Sequence, residues 1–349
     1  MTSSDAARVN LRQRGKTVKR TMGVPYRVGF VGAGNVSKMH LDGIKRHNDQ
    51  VKVVALCDPD ETALKTRAAE RGLEQTYTDL GQMIARADLD AVVVCTPTNV
   101  RKAVLFPLIE AGIPALCEKP FAETYGEAAE IEKKARKAGV PVAINQNFRR
   151  HFSFLLARDV LDKGHLGRPL HLAHNVMTLR RDKGWRLDRK RYVMTVMSIH
   201  WFDGYRYMLR DEAESVYCRA VNSPATPGGE DTAVSVVIQF RGGAVASLSE
   251  SFSSFTRHNC CILDCEKGGL QLEYQKLTET PESGEKIERP NPFDKLEATY
   301  WLLEDLLTAA KEGREPETSV SDNLNTLRIM EAAYRSLSEN RVVRTEEIR

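Results

Sequence analysis

Long apolar runs are missing from this chain of 349 residues. None approaches the roughly 18 consecutive apolar residues that a membrane-spanning helix requires. Cysteine is scarce and odd in number, seven with no framework spacing, so a disulfide scaffold is excluded. Cys57, Cys95 and Cys117 each end an expected internal strand, where cysteine acts as a small buried hydrophobe. This usage suits a reducing, cytoplasmic setting. Net charge is also small, at +4. Residues 1–27 hold seven Lys/Arg against one acid, and the remainder carries 44 basic residues against 46 acidic. The body of the chain therefore shows no nucleic-acid footprint. The basic stretch 1–24 lacks an apolar h-region, so it is not a secretory signal. It reads as a disordered leader, or as sequence upstream of a start at Met22. There is no internal repeat, no G-x-S-x-G elbow and no G-x-x-x-x-G-K-[ST] loop, so serine-hydrolase and P-loop chemistry have no starting point. His258, Cys260, Cys261 and Cys265 do not make a metal set. On a strand the first two face one way and the last two the other, so no metal is expected.

What is present is a glycine-rich turn between an apolar strand and a helix: Gly32-Ala33-Gly34-Asn35-Val36-Ser37. Gly32 permits a tight turn and Gly34 lets the backbone approach a pyrophosphate. The helix N-terminus adds unpaired N–H donors and a positive dipole end. Asp58 closes the next strand, 51–57, where a carboxylate accepts hydrogen bonds from adenosine ribose hydroxyls. A carboxylate there repels a 2′-phosphate and Pro59 supplies no cation, so NAD(H) is expected in preference to NADP(H).

The flanking pattern supplies the context. Residues 27–145 alternate strand and helix, with strands expected at 27–32, 51–57, 75–77, 91–95, 113–117 and 141–145 and helices at 59–71, 80–86, 99–111 and 125–138. Continuous runs such as Ala91-Val92-Val93-Val94 suit parallel strands covered on both faces. Gly112 and Gly139 stand where left-handed helix caps belong. This is a doubly wound α/β Rossmann domain, placed at 25–147. Beyond it, long alternating runs at 215–221, 233–240, 244–252, 260–265 and 270–274 indicate a large, mainly antiparallel sheet in an α+β domain, 148–349. Two amphipathic helices, 294–312 and 321–340, end the chain and are expected to pack back on the first domain.

In an open α/β sheet, ligands bind beyond the carboxyl ends of the strands. The loops there hold Thr96, Pro97 and Asn99, then Glu118-Lys119-Pro120, then Asn147-Phe148-Arg149. Lys119 falls where the nicotinamide end of a dinucleotide would lie, and its ammonium could bond a substrate hydroxyl.

These residues carry a resemblance. Gly32-Ala33-Gly34-Asn35 with His40, Cys95-Thr96-Pro97, Glu118-Lys119-Pro120, Asn147-Phe148-Arg149-Arg150, Trp185-Arg186 and His200-Trp201-Phe202-Asp203 resemble the Gfo/Idh/MocA family of NAD(P)-dependent oxidoreductases. The resemblance covers roughly residues 24–345. It implies that Lys119 touches both nicotinamide ribose and substrate, that His200 transfers a proton, and that Trp185 folds over the cofactor. Gly32, Ala33, Gly34, Asn35, Val36, Asp58, Thr96, Pro97, Asn99, Glu118, Lys119 and Asn147 join Trp185 as the cofactor set. Lys119, Arg149, Arg186 and His200 form the substrate set. Three departures stand out: Val196 replaces an aspartate frequent four residues before the histidine, Arg189-Lys190-Arg191 replaces a glycine-rich segment, and Arg101 replaces a frequent histidine. With Val196 in place, Asp203, one turn on, is expected to orient the imidazole.

The implied activity is hydride transfer between NAD and a secondary alcohol of a sugar, polyol or glycoside, in a homodimer or homotetramer formed through the antiparallel sheet. Two alternatives stay open: redox-assisted glycoside elimination with tightly bound NAD, and a non-catalytic NAD(H)-binding regulator.

Overall fold

A computed structural model of the chain describes residues 7–13, 16–182, 190–224, 226 and 229–349, the backbone alone for 7–13 and 16–21. It divides into two compact units, residues 1–146 with 296–324, and residues 147–295 with 325–349.

In chain order the first unit opens with β1 (Ala7–Gln13) and β2 (Lys16–Met22), an antiparallel ribbon in which Leu11 faces Val18. This departs from the disordered leader expected there. The alternation of Val9 and Leu11 with polar neighbours gives the stretch strand character that its charge obscures.

The strands β3 (Tyr26–Val31), β4 (Val51–Cys57), β5 (Thr76–Tyr77), β6 (Ala91–Val94), β7 (Ala115–Cys117) and β8 (Val142–Ile144) form a six-stranded parallel sheet in the order β5-β4-β3-β6-β7-β8. The order reverses between β3 and β6, which makes a crevice at their carboxyl ends. The crossover helices are α1 (Asn35–Lys45), α2 (Glu61–Arg71), α3 (Leu80–Arg86), α4 (Arg101–Glu110) and α5 (Tyr125–Ala138). Local chemistry sets their ends. Asp60 caps α2 by accepting from Thr62 and Ala63 N–H, Thr124 caps α5 at Glu127 N–H, and Gly139 ends α5 at φ +64°. The late helix Lys295–Glu312 adds Leu302, Leu303, Leu306 and Leu307 to the core of Val28, Phe30, Leu56 and Leu64.

The second unit starts with α6 (Phe148–His151) and α7 (Phe154–Leu161), followed by strand β9 (Pro169–Leu179) and helix α8 (Ile199–Leu209). Its nine-stranded sheet also contains β10 (Ala213–Val221), β11 (Ala233–Phe240), β12 (Val245–Ser251), β13 (Ser253–Cys265), β14 (Gly268–Leu272), β15 (Lys276–Pro281), β16 (Ile287–Pro290) and β17 (Val343–Arg344). Only the β9–β12 pairing is parallel. Alternation along β11 and β12 sends Val236, Ile238, Ala246 and Leu248 into the core. On the opposite face, Val237, Ser247, Ala173 and Ile262 form one cross-strand row. No helix of the described residues is long and apolar enough to cross a membrane.

Candidate active site

The glycine turn leaves β3 at the switch point. Gly32 has φ +101°, and a Cβ there would lie 2.9 Å from the Cys95 carbonyl group, so conformation and space both demand glycine. Gly34 is different. Its φ is −68°, and a Cβ would meet nothing within 4 Å. The protein itself does not require glycine at 34, whereas an anion approaching the backbone would. Helix α1 begins there without a side-chain cap or an acid in its first turn, which leaves the Asn35 and Val36 end open to a phosphate. Ser37, the third position of the fingerprint, is fully buried and donates to the Gly34 carbonyl at 2.7 Å, so it packs without loss of the turn.

Asp58 braces the turn from β4. Its Oδ2 accepts the Ala33 N–H at 2.7 Å and its Oδ1 accepts the Asp60 N–H at 2.9 Å, and each oxygen keeps lone pairs for further donors. Arg67 of α2 donates to the carbonyls of Ala33 (3.2 Å) and Gly34 (3.4 Å) while its guanidinium pairs with Glu70. At the end of β6, the buried Thr96 Oγ1 has no hydrogen-bond partner among the described residues. An open cradle at Gly34, an uncapped helix end, a carboxylate beside the turn with spare lone pairs and an orphaned hydroxyl together fit a dinucleotide.

Lys119 follows β7 in a loop fastened on two sides. Its neighbour Glu118 is buried, and its Oε1 receives Asn145 Nδ2 at 2.6 Å and lies 2.8 Å from His40 Nε2. Burial pushes this carboxyl up, but the His40 contact and the charges of His40, Arg101 and Lys119 outweigh it, holding the group at about 2. On the other side, the Arg101 guanidinium donates from Nη1 to the carbonyls of Glu118 (2.5 Å) and Pro120, and from Nε and Nη2 to Thr96 O at 3.0 and 2.8 Å. One side chain thus ties the loop after β6 to the loop after β7.

His200 belongs to the second unit. It is buried on α8, its ring stacked on Phe148 at 4.2 Å and 20°. A π-helical turn, Met194–Ser198, leads into α8 and contains Val196, and turns of this kind recur at functional sites. The buried Asp231 holds that segment by accepting Tyr192 N–H at 2.6 Å and Met194 N–H at 3.1 Å. Glu250 accepts from Ser198 Oγ (2.5 Å) and Trp201 Nε1 (3.1 Å).

The expectation that Asp203 orients the His200 imidazole is corrected here. Asp203 takes Arg149 Nε and Nη2 on its two oxygens, each at 2.8 Å, and accepts the Thr326 hydroxyl at 3.0 Å. His200 is not among its partners in the described residues. One helical turn from His200, the carboxylate meets the guanidinium that α6 presents to it. Arg149, expected in the substrate set, is correspondingly engaged in a buried internal ion pair.

Within the first unit the structure brings Asp58 against Ala33, and Thr96 together with Glu118 through Arg101. Pro97 and Asn99 lie in the short turn that joins β6 to α4. Asn147, at the start of α6, and His200 fall in the second unit. Trp185 and Arg186 lie outside the described residues. Among the described residues no cluster of three His, Cys, Asp or Glu side chains could hold a metal. Sequence reading missed the bonding roles of Arg101, Arg67 and Asn145. Only the replacement of a frequent histidine by Arg101 offered a signal.

Comparisons with known proteins now bear on this geometry. Residues 26–146 match the model of an oxidoreductase family with an NAD-binding Rossmann fold, and residues 154–271 match a Gfo/Idh/MocA C-terminal domain. The chain is 26% identical to D-apiose dehydrogenase of Paraburkholderia graminis over 100% of its own length and 96% of that protein's. It is 32% identical to inositol 2-dehydrogenase 4 of Saccharopolyspora erythraea over 70% of this chain and 73% of that one. In fold it is similar to an oxidoreductase from Agrobacterium radiobacter solved with NAD+, L-tartaric acid and magnesium, with a TM-score of 0.86, 21% identity, and coverage of 93% of this chain and 100% of that one.

Proposed function

This chain belongs to the Gfo/Idh/MocA oxidoreductase family, and we propose that it is an NAD-dependent dehydrogenase of a sugar or polyol, acting at a secondary alcohol. The observation that carries the reading is the switch-point constellation: an open Gly34 cradle at an uncapped helix, Asp58 bracing the turn, and Lys119 on a doubly fastened loop. The relatives' activities on a sugar and on inositol support the substrate class. They are dehydrogenases by name, so neither the elimination chemistry nor the non-catalytic regulator gains support from them.

When bound, NAD supplies the hydride acceptor at nicotinamide C4. The chain's own residues do the rest. Backbone N–H groups at Asn35 and Val36 would hold the pyrophosphate, and Asp58 would accept the ribose hydroxyls. Thr96, Pro97, Asn99, Glu118 and Asn147 would serve the nicotinamide half, and Trp185 is assigned to the same cofactor set by the family resemblance. Lys119 bonds the reacting hydroxyl and His200 takes its proton as general base. Arg186 is assigned to the substrate set by the same resemblance. Arg149 and Asp203 support α8 from within.

NAD is preferred over NADP in this reading. The Asp58 carboxylate repels a 2′-phosphate, and the cation nearest the glycine turn, Arg67, is engaged by two carbonyls and Glu70. The protein is further read as a homodimer or homotetramer, its second copy seated on the open sheet face around Val237 and Ile262, both 44% exposed. Sedimentation of the purified protein as a monomer would end that part of the reading.

The experiment for the activity is a panel of sugars and polyols, myo-inositol and D-apiose included, assayed with NAD and with NADP by nicotinamide absorbance, alongside NADH titration. Turnover of at least one member with NAD is expected. No turnover and no NADH affinity would overturn the proposal.

A further inference from the structure

Arg101 opens α4 directly below the loop after β6, and only 6% of it is exposed. A buried arginine is ordinarily neutralised by a carboxylate. Among the described residues none lies within ion-pair distance of this one. Its fork instead faces three backbone carbonyls from two loops: Thr96 O, taken by Nε and Nη2, and Glu118 O and Pro120 O, both taken by Nη1. The two carbonyls shared by Nη1 flank Lys119 on either side. The third belongs to the residue whose hydroxyl is orphaned at the end of β6.

Few side chains can do this. Arginine carries five N–H donors in one rigid plane, whereas lysine offers a single ammonium and histidine at most two ring donors. Neither can span three carbonyls on two loops. Burial of the charge is unfavourable, so the arrangement makes sense where the geometry it fixes matters.

We infer that Arg101 is a positioning residue: it fixes the backbone on both sides of Lys119 and thereby sets where the ammonium stands in the active site. The inference rests on the reading of Lys119 as an active-site group. These hydrogen bonds of Arg101 all go to backbone carbonyls, so its role runs through the loop and not through a reacting atom. It also gives the departure from histidine at this position a purpose, since a wider donor fork joins the nicotinamide-side loop to the lysine loop.

The test uses Arg101→Lys, which keeps the charge but loses the fork, and Arg101→Met, which loses both, with thermal melts to establish folding. Backbone hydrogen exchange over residues 117–121 is expected to rise about tenfold or more in either folded variant, with exchange over α5 unchanged. NADH affinity is expected to stay within about threefold of the parent, and kcat on the best panel substrate to fall roughly 10- to 100-fold, since a displacement near 1 Å suffices for that. In a Lys119→Ala background the same substitutions should lower kcat no further. Arg101→Lys that folds with parental exchange over 117–121 would refute the inference, and so would an equal loss of kcat in the Lys119→Ala background. If the parent neither turns over a panel substrate nor binds NADH, the dehydrogenase reading fails, and the exchange measurement alone still decides what Arg101 holds.

Discussion

Asp203 grips Arg149 through two parallel hydrogen bonds of 2.8 Å, with both side chains at most 3% exposed. The pair joins α8, which carries His200, to α6, which carries the Phe148 ring stacked on it. Asp203→Ala takes two hydrogen bonds and the opposite charge away from a buried guanidinium, so it is expected to lower stability by about 3–5 kcal/mol. The double variant Asp203→Asn with Arg149→Met should recover part of that loss. Denaturant unfolding of the single and double variants decides the point. A double variant as damaged as the single one would show that the charge pairing is not what matters.

Lys119 is the group on which the proposed chemistry turns. Lys119→Ala is expected to reduce turnover by about 10²- to 10⁴-fold, the range for loss of a positioned proton-transfer partner. The Gly34 cradle and Asp58 are untouched by that change, so NADH binding should survive it, weakened at most by the loss of the Lys119 contact to the nicotinamide ribose. Calorimetric titration and steady-state kinetics on one preparation separate the two quantities. Parental turnover would remove Lys119 from the mechanism.

Much of this was legible in the sequence, and the parts that were not share a cause. Ala91-Val92-Val93-Val94 and the turn after Val31 announce a parallel sheet and its switch point through local pattern alone, α3 begins at its Asp79 cap, and α5 begins and ends as its caps dictate. Strand β15 was missed because its buried members include Thr278 and Glu279, and Glu279 is buried against His165 and Arg289, partners more than nine residues away. Asp203 was assigned to His200 on helical spacing, while the stronger claim came from Arg149, 54 residues upstream. Arg101 announced itself only as an odd residue in a familiar position. Periodicity records which face is buried. It carries no record of which long side chain crosses between loops.

Glu118 makes the lysine loop sensitive to acid. Its carboxyl is held at about 2 in the fold, against roughly 4.3 for an unfolded glutamate. A depressed carboxyl stabilises the fold above the unfolded value, and that contribution disappears as pH falls toward the folded one. Glu118→Gln should therefore be less stable than the parent by roughly 2–3 kcal/mol near pH 7, with the gap closing between about pH 4 and pH 2. Unfolding midpoints across that range supply the check. A gap that stays constant with pH would mean that the charged state of Glu118 contributes nothing.

Two histidines of the second unit act in the adjacent, higher pH range. His174 is buried between the Tyr205 hydroxyl (2.8 Å) and Asn259 Oδ1 (2.9 Å), and burial lowers it to about 4. His151, packed against Phe148 and Tyr274, is lowered by burial to about 4 as well. Both are neutral in the fold, whereas unfolded histidine takes up a proton near 6.5. The unfolded chain thus binds more protons between about pH 4 and 6.5, and stability must fall as pH falls through that window, by up to about 1.4 kcal/mol per pH unit for each histidine. His174→Gln keeps a polar group for Tyr205 and removes one titration, so its stability should decline about half as steeply. Equal slopes in parent and variant would contradict the neutral burial of His174.

The proposed preference for NAD over NADP rests on Asp58. Its carboxylate is fixed by the N–H groups of Ala33 and Asp60, so it cannot swing aside to admit a 2′-phosphate. Pro59 brings no cation, and Arg67 is occupied at the glycine turn. Asp58→Asn preserves an acceptor for Ala33 while removing the charge, so the ratio of NADH to NADPH affinity should fall at least about tenfold, equivalent to roughly 1.4 kcal/mol. Adding Pro59→Arg should carry the ratio further, because a guanidinium can pair with the phosphate. Parallel titrations with the two reduced cofactors measure it directly. A parent protein that binds both equally, or an Asp58→Asn variant whose ratio does not move, would place the discrimination elsewhere in the chain.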